Sequence, residues 1–333
     1  MVKKAVRVSL AYRPPFDWEA LIGFLAARAT PGVEVVEANG YRRTIARDGQ
    51  VGTLAVGLSS AAPAIEVEIR FPDSRAHPLI VDRVRRMFDL DADPAVVALH
   101  LGGDPWLGPV LSRHPGLRTP GAWDGFELSV RAILGQQVSV AAATTIAGRL
   151  ARRFGRGVEG TDGLDRLFPD PGQLAEAPIE EVGVIAARAG SIRALARAVL
   201  ADEVCFTHSP SEVTRSLLAL RGIGPWTAQY IAMRALGDPD AFLAGDLILR
   251  QRAGGCTARE LERHAERWRP WRASAVMLLW QAAKDAQKDM DEVGWLRPIS
   301  LDARGDRRRA GGGQEHPRAS ARRPVPQRGV RRR

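Results

Sequence analysis

At 333 residues, 45% of them hydrophobic, the chain is long enough for two or three domains with cores of their own. No apolar run can span a bilayer, and the opening stretch MVKKAVRVSLAYRPPF lacks the long apolar region of a signal peptide, so a cytoplasmic protein is expected rather than a membrane or secreted one. Cys205 and Cys256 form no CxxC pair and the six histidines are scattered, which excludes a four-cysteine zinc or iron–sulfur site and predicts no metal. The net charge of +10 is uneven: eleven arginines against three acids from Leu301 onward account for eight of it, leaving about +2 for the first 300 residues. Any polyanion must therefore be gripped locally by the globular part, not by an overall field.

In chain order, Val6, Val8, Leu10 and Tyr12 alternate with polar residues and read as a strand. An amphipathic helix follows, capped by Asp17, with Leu21, Phe24 and Leu25 on one face. Short alternating runs at Val33–Val36, Arg42–Ala46, Val51–Leu58 and Ile65–Ile69 are separated by turns at Asn39-Gly40 and Asp48-Gly49, the pattern of an antiparallel sheet. The segment HPLIVDRVRRMFDL closes this region as a helix. Residues 1–88 are thus expected to form a small α+β domain. Residues 89–122, rich in Gly, Pro and Asp, read as a connection with short helical pieces.

From Asp124 the period is helical to about Gln287. One helix runs through Phe126, Val130, Ile133 and Leu134. Gly135-Gln136-Gln137 interrupts it, and Val138 or Ser139 starts another that ends at Phe154. A weaker glycine hairpin lies at Val182–Val184. Residues 89–300 are therefore expected to be all-helical. The arginine-, glycine- and proline-rich residues 301–333 are expected to be disordered, either a nonspecific polyanion tether or a solvated appendage.

The most informative stretch is residues 209–237. Ser209 and Glu212 form a capping box around Pro210, and Val213, Leu217 and Leu218 recur at helical spacing. Arg221-Gly222-Ile223-Gly224 breaks that helix, and Pro225 starts a second through Trp226, Thr227, Tyr230 and Met233. The backbone N–H groups around Gly222 and Gly224, with the Thr227 hydroxyl, can meet an anion directly. A Gly/Pro loop then delivers one carboxylate, Asp246, which can also cap the helix LILRQR. Trp226 and Tyr230, four apart, share a helix face.

LRGIGPWTA followed by that loop and aspartate resembles the helix-hairpin-helix DNA glycosylase superfamily. GFLAARA (Gly23–Ala29), ILGQQVSV (Ile133–Val140) and ERWRPWRASAVMLLW (Glu266–Trp280) resemble its bacterial 3-methyladenine DNA glycosylase II branch, over roughly residues 5–296. The resemblance implies a monomeric, cofactor-free enzyme acting on double-stranded DNA with damaged bases. It implies that the hairpin holds a DNA phosphate and that Gln137 enters the duplex in place of the extruded nucleotide, where some relatives carry an apolar residue. It also implies that Asp246 stabilises the sugar cation and that Trp226, Tyr230 and Trp280 stack on the base. For Phe24 the sequence leaves two places open, the core or the pocket wall. Strand-cutting relatives carry a lysine just after the hairpin. The matching position here is Trp226, which implies base removal alone. Alkylated purines are the expected substrates, with uracil or hypoxanthine, or DNA binding without catalysis, as alternatives.

Overall fold

The computed structural model describes residues 5–37, 40–159 and 162–293. Asn39 of the predicted turn and the arginine-rich residues 301–333 lie outside them. Five strands, β1 (Val6–Ala11), β2 (Glu34–Glu37), β3 (Gly40–Arg47), β4 (Gln50–Leu58) and β5 (Ala64–Arg70), form one antiparallel sheet in the order β1-β5-β4-β3-β2. The β3–β4 hairpin closes with Arg47 opposite Gln50. Asp48 and Gly49 between them both have positive φ, the conformation a two-residue hairpin loop requires. Ile65, Val67 and Ile69 are buried while Glu66 and Glu68 face outward, so the period of two places one face of β5 in the core.

Helix α1 (Trp18–Ala26) joins β1 to β2, and α2 (His77–Met87) follows β5. Both cover the sheet, with Leu21 and Leu25 of α1 and Ile80 and Val84 of α2 in its core. Asp17 caps α1 as expected, its Oδ1 accepting from the Ala20 N–H at 2.9 Å. Beyond the sheet the described chain is helical: α3 (Pro94–Leu101), α4 (Gly108–Arg113), α5 (Gly125–Leu134), α6 (Val140–Phe154), α7 (Pro171–Leu174), α8 (Ala186–Leu200), α9 (Pro210–Ala219), α10 (Pro225–Ala235), α11 (Leu247–Arg252), α12 (Ala258–Ala265) and α13 (Arg272–Val293). An α+β region followed by a helical one is the architecture the sequence predicts.

Apolar side chains gather in three cores. The first lies under the sheet. A second is built from α5, α6, α8, α9 and the first part of α10. A third is built from α3, α4, α11, α12, α13 and the end of α10. Helix α10 serves the second and third, and Tyr230 packs against both.

The sheet and the helical part are pinned by charges. Arg43 of β3 bonds Glu127 of α5 at 2.6 Å, and Arg131 of α5 bonds Glu34 of β2 and Glu127, both at 2.9 Å. Glu34 also accepts from the Tyr41 hydroxyl at 2.7 Å and the Thr30 N–H at 2.9 Å. Burial alone would raise the Glu34 carboxyl. Arg131 and Arg43, with the Tyr41 hydroxyl, outweigh it and hold the group below its ordinary value. Glu34, Arg43 and Glu127 are nearly inaccessible, so losing one partner leaves an uncompensated buried charge. Arg43→Met should therefore lower the unfolding free energy by about 3 kcal/mol in urea titrations. An unchanged denaturation midpoint would mean that the network contributes nothing net.

Candidate active site

A cavity of about 550 Å³ opens between α1, α5, α10, α11 and α13. Phe24, Trp226, Tyr230, Asp246 and Trp280 all line it, so the structure brings together the base-pocket and carboxylate residues singled out in the sequence. The two places left open for Phe24 are resolved: it packs at the edge of the sheet core and also lines the cavity.

Asp246 is held by its neighbours' geometry. It caps α11, its Oδ1 accepting from the Leu249 N–H at 3.0 Å. Its Oδ2 accepts from Trp226 Nε1 at 3.1 Å, and Oδ1 has Trp280 Nε1 at 3.4 Å. Asp246 is 9% exposed, and the groups that hold its carboxylate are N–H donors. A carboxylate offers about four lone-pair positions, so three donors leave one for the cavity.

The same indoles form the aromatic walls. Trp226 and Tyr230 stack at 5.3 Å with 6° between their planes, as residues four apart on α10 can. Trp280 lies 6.4 Å from Tyr230 and 6.3 Å from Phe24, nearly parallel to the latter. Trp268, in contrast, is fully buried in the third core, and Trp271 is only partly covered.

Six cationic side chains in the cavity wall, Arg28, Arg43, Arg118, Arg131, Arg234 and Lys284, escaped the sequence reading. Arg131 is neutralised by its two glutamates. Arg234 instead donates to Gly121 O at 3.0 Å, to Pro120 O and to the Tyr230 hydroxyl at 2.8 Å. Arg28 donates to Phe24 O at 3.3 Å and lies 3.7 Å over the Phe24 ring. Burial, reinforced by Arg28 and Arg131, lowers Arg234 to about 10. Burial would raise the Tyr230 phenol, but Arg234, then Arg28 and Arg131, more than offset it and leave it below its ordinary value. The available signal was spacing: Arg234 stands four residues past Tyr230, on the face that already carried Trp226.

The hairpin between α9 and α10 sits beside this cavity. Gly222 and Gly224 are exposed, and Gly224 begins α10 without a side-chain cap, so the first N–H groups of that helix are open to a ligand. The expected role of the Thr227 hydroxyl needs correction. Thr227 is 3% exposed, and its Oγ1 accepts from Gln136 Nε2 at 3.1 Å, facing the protein and not the surface. The same Gln136 amide donates to Gly222 O at 2.9 Å, which ties the residue 135–137 turn to the hairpin. Gln137, at the turn's tip, is exposed with φ of 57°. Among the described residues no cluster of three or more His, Cys, Asp or Glu is arranged to hold a metal.

A helix-hairpin-helix element braced beside an aromatic cavity that holds the Asp246 carboxylate defines the class of fold. Residues 7–124 match the AlkA N-terminal domain model, and residues 130–272 match that of the HhH-GPD superfamily base excision DNA repair proteins. DNA-3-methyladenine glycosylase 2 of Escherichia coli is 35% identical over 82% of this chain and 96% of its own length. The chain is 44% identical to the probable bifunctional transcriptional activator/DNA repair enzyme AlkA of Mycobacterium tuberculosis, over 83% of this chain, and spans 56% of that protein's length. Among solved structures, a 3-methyladenine DNA-glycosylase from Archaeoglobus fulgidus superposes with a TM-score of 0.72 at 26% identity, covering 82% of this chain and 96% of its own. The chain belongs to the HhH-GPD superfamily of base excision DNA repair proteins, in the branch that carries an AlkA N-terminal domain.

The two hairpin glycines differ physically. Gly222 has φ of 88°, and a Cβ there would lie 2.0 Å from Ser191 Oγ, whereas Gly224 has open space around it. Gly222→Ala should cost about 2 kcal/mol of stability. Gly224→Ala should cost under about 1 kcal/mol, through the weaker helix cap alone. Paired thermal denaturations check the contrast; equal shifts would mean the Gly222 conformation is not demanding.

Proposed function

We propose that this protein is a monofunctional DNA glycosylase that removes alkylated purines, such as 3-methyladenine and 7-methylguanine, from double-stranded DNA. The observation that carries the reading is the Asp246 carboxylate, fixed by two indole N–H groups in the wall of an aromatic cavity. The open N–H groups at the start of α10, with Gly222 and Gly224, hold a backbone phosphate, which positions the duplex without reading sequence. Gln137 fills the space of the extruded nucleotide. Flipping exposes the bond from C1′ to the base nitrogen at a cost of a few kcal/mol.

The flipped base stacks against Trp226, Tyr230, Trp280 and Phe24, whose π-faces attract a cationic purine. The C1′–N bond breaks with its electron pair going to the base, which leaves as a neutral molecule. The sugar is left as an oxocarbenium ion beside Asp246, whose charge stabilises it. Water then adds to C1′ and gives up a proton, for which the same carboxylate is the available base. An alkylated purine already carries its positive charge, so no general acid is needed. The enzyme acts at the DNA in the bacterial cytoplasm, and as a monomer, since cavity and hairpin come from a single chain.

A second reading, removal of neutral damaged bases such as hypoxanthine or uracil, is favoured by one observation. Arg28 and Arg234 are bonded to carbonyls and a phenol rather than to carboxylates, so the cavity wall keeps positive charge that disfavours a cationic base. Mass spectrometry of bases released from methylated DNA and from oligonucleotides with a single hypoxanthine or uracil separates the readings. On either, Asp246→Asn should reduce release by about a hundredfold or more, with binding to an abasic duplex largely kept. Comparable turnover by the variant would remove Asp246 from the chemistry.

Trp226 offers no amine and spends its N–H on Asp246, but Lys284 places one in the cavity wall. Borohydride added to the reaction should trap no covalent complex. A trapped adduct abolished by Lys284→Met would instead assign strand-cutting chemistry to that lysine.

A further inference from the structure

His114, at the end of α4, takes no part in the chemistry above, yet it joins two walls of the cavity. Its Nδ1 lies 3.1 Å from Asp17 Oδ2 and its Nε2 lies 3.0 Å from Asp285 Oδ2. Asp17 begins α1, which brings Phe24 and Arg28 to the cavity; Asp285 is on α13, which brings Trp280. Each carboxylate spends its other oxygen within its own helix: Asp17 on the Ala20 N–H, and Asp285 on Gln281 Nε2 at 2.8 Å. The imidazole thus links the two helices through oxygens already fixed in place.

Backbone packing sets this position. Gly116 has φ of 84°, and a Cβ on it would lie 2.4 Å from the Pro15 carbonyl. Its own carbonyl accepts from the Asp17 N–H at 3.0 Å. The turn after α4 therefore lies flat against the start of α1, and His114 has little freedom to move away.

Charge completes the argument. The charged groups that face the imidazole within ion-pair distance, among the described residues, are Asp17 from α1 and Asp285 from α13. Arg113 of α4 reaches Asp285 at 3.3 Å. With a doubly protonated imidazole, two positive charges meet two negative ones, and both ring nitrogens donate. A neutral imidazole has one N–H and one lone pair, so it serves one carboxylate and turns the lone pair toward the other.

We propose that His114 is a positioning residue: as an imidazolium it ties α1 to α13 and so sets the spacing of Phe24 and Trp280, and loss of its proton releases one of the two ties. The inference rests on the proposed glycosylase reading only for its activity readout. The test compares the intact wild-type protein with His114→Arg, His114→Gln and Asp285→Asn. Single-turnover release of 7-methylguanine, corrected for spontaneous loss, is followed from about pH 6 to about pH 8.5.

Wild-type release should fall about fivefold relative to His114→Arg across that span, an effect of the size that packed elements transmit. His114→Arg keeps a cation with several donors and should hold the acid-side rate throughout. His114→Gln should be slow at both ends without a step, and Asp285→Asn should shrink the step. ¹⁵N-histidine NMR should find both His114 nitrogens protonated on the acid side, with Asp285→Asn altering that signal. One common pH profile for all four proteins, or a His114 signal indifferent to Asp285→Asn, would overturn the proposal. A wild type that releases no base at any pH would remove the glycosylase reading, while the NMR titration would still decide for or against the tie.

Discussion

The site depends on a cluster of charges that is not part of it. Glu34, Arg43 and Glu127 are buried, and Arg131 half-buried, where the sheet meets α5, and every one has an opposite partner. Such an arrangement adds little net stability over an apolar one, because desolvation offsets most of the attraction. What it does supply is register: sheet and helix can meet only where the charges match. Arg131 also donates to the Arg28 carbonyl, just past the end of α1. The cluster thereby fixes the segment that carries Phe24 and Arg28 against the helices that carry the indoles and the carboxylate.

On the proposed reading, Asp246 combines a structural and a chemical role in one group. Capping α11 holds the carboxylate to the start of that helix, and the indole N–H groups of Trp226 and Trp280 hold its orientation. Neither kind of donor cancels its charge as an arginine would. A group preorganised in this way needs no rearrangement when positive charge appears nearby. On the proposed reading, the cap is a reason the carboxylate works, not an alternative to its working.

Much of this was legible in the sequence because the signals are local. Alternation in Ile65–Ile69 marked a sheet face, Ser209 with Glu212 marked a helix start, and Gly222-Ile223-Gly224 marked the break between two helices. Asp246 and the three pocket aromatics beyond Phe24 were reached through the motif resemblance together with helical spacing. The misses have a common cause: they depend on what lies across the fold. Thr227 read as a surface hydroxyl, yet it meets Gln136, remote in sequence. Arg28 and Arg234 drew no reading at all, and only the packing of the fold placed them in one wall. His114 carried no signal, since its partners come from opposite ends of the described chain.

The Gln136 side chain has a consequence for reach. Its amide bridges Gly222 O and Thr227 Oγ1, while Arg188 of α8 holds its backbone carbonyl. The turn that ends in Gln137 and the hairpin that precedes α10 are thus tied together like the arms of a caliper. Whatever rests against the hairpin is probed at a set distance along its length. A strand of the wrong spacing meets the second tip out of phase, however well its groups suit the first. On the proposed reading, recognition on such a surface begins as a measurement of length, before the cavity has sampled any chemistry.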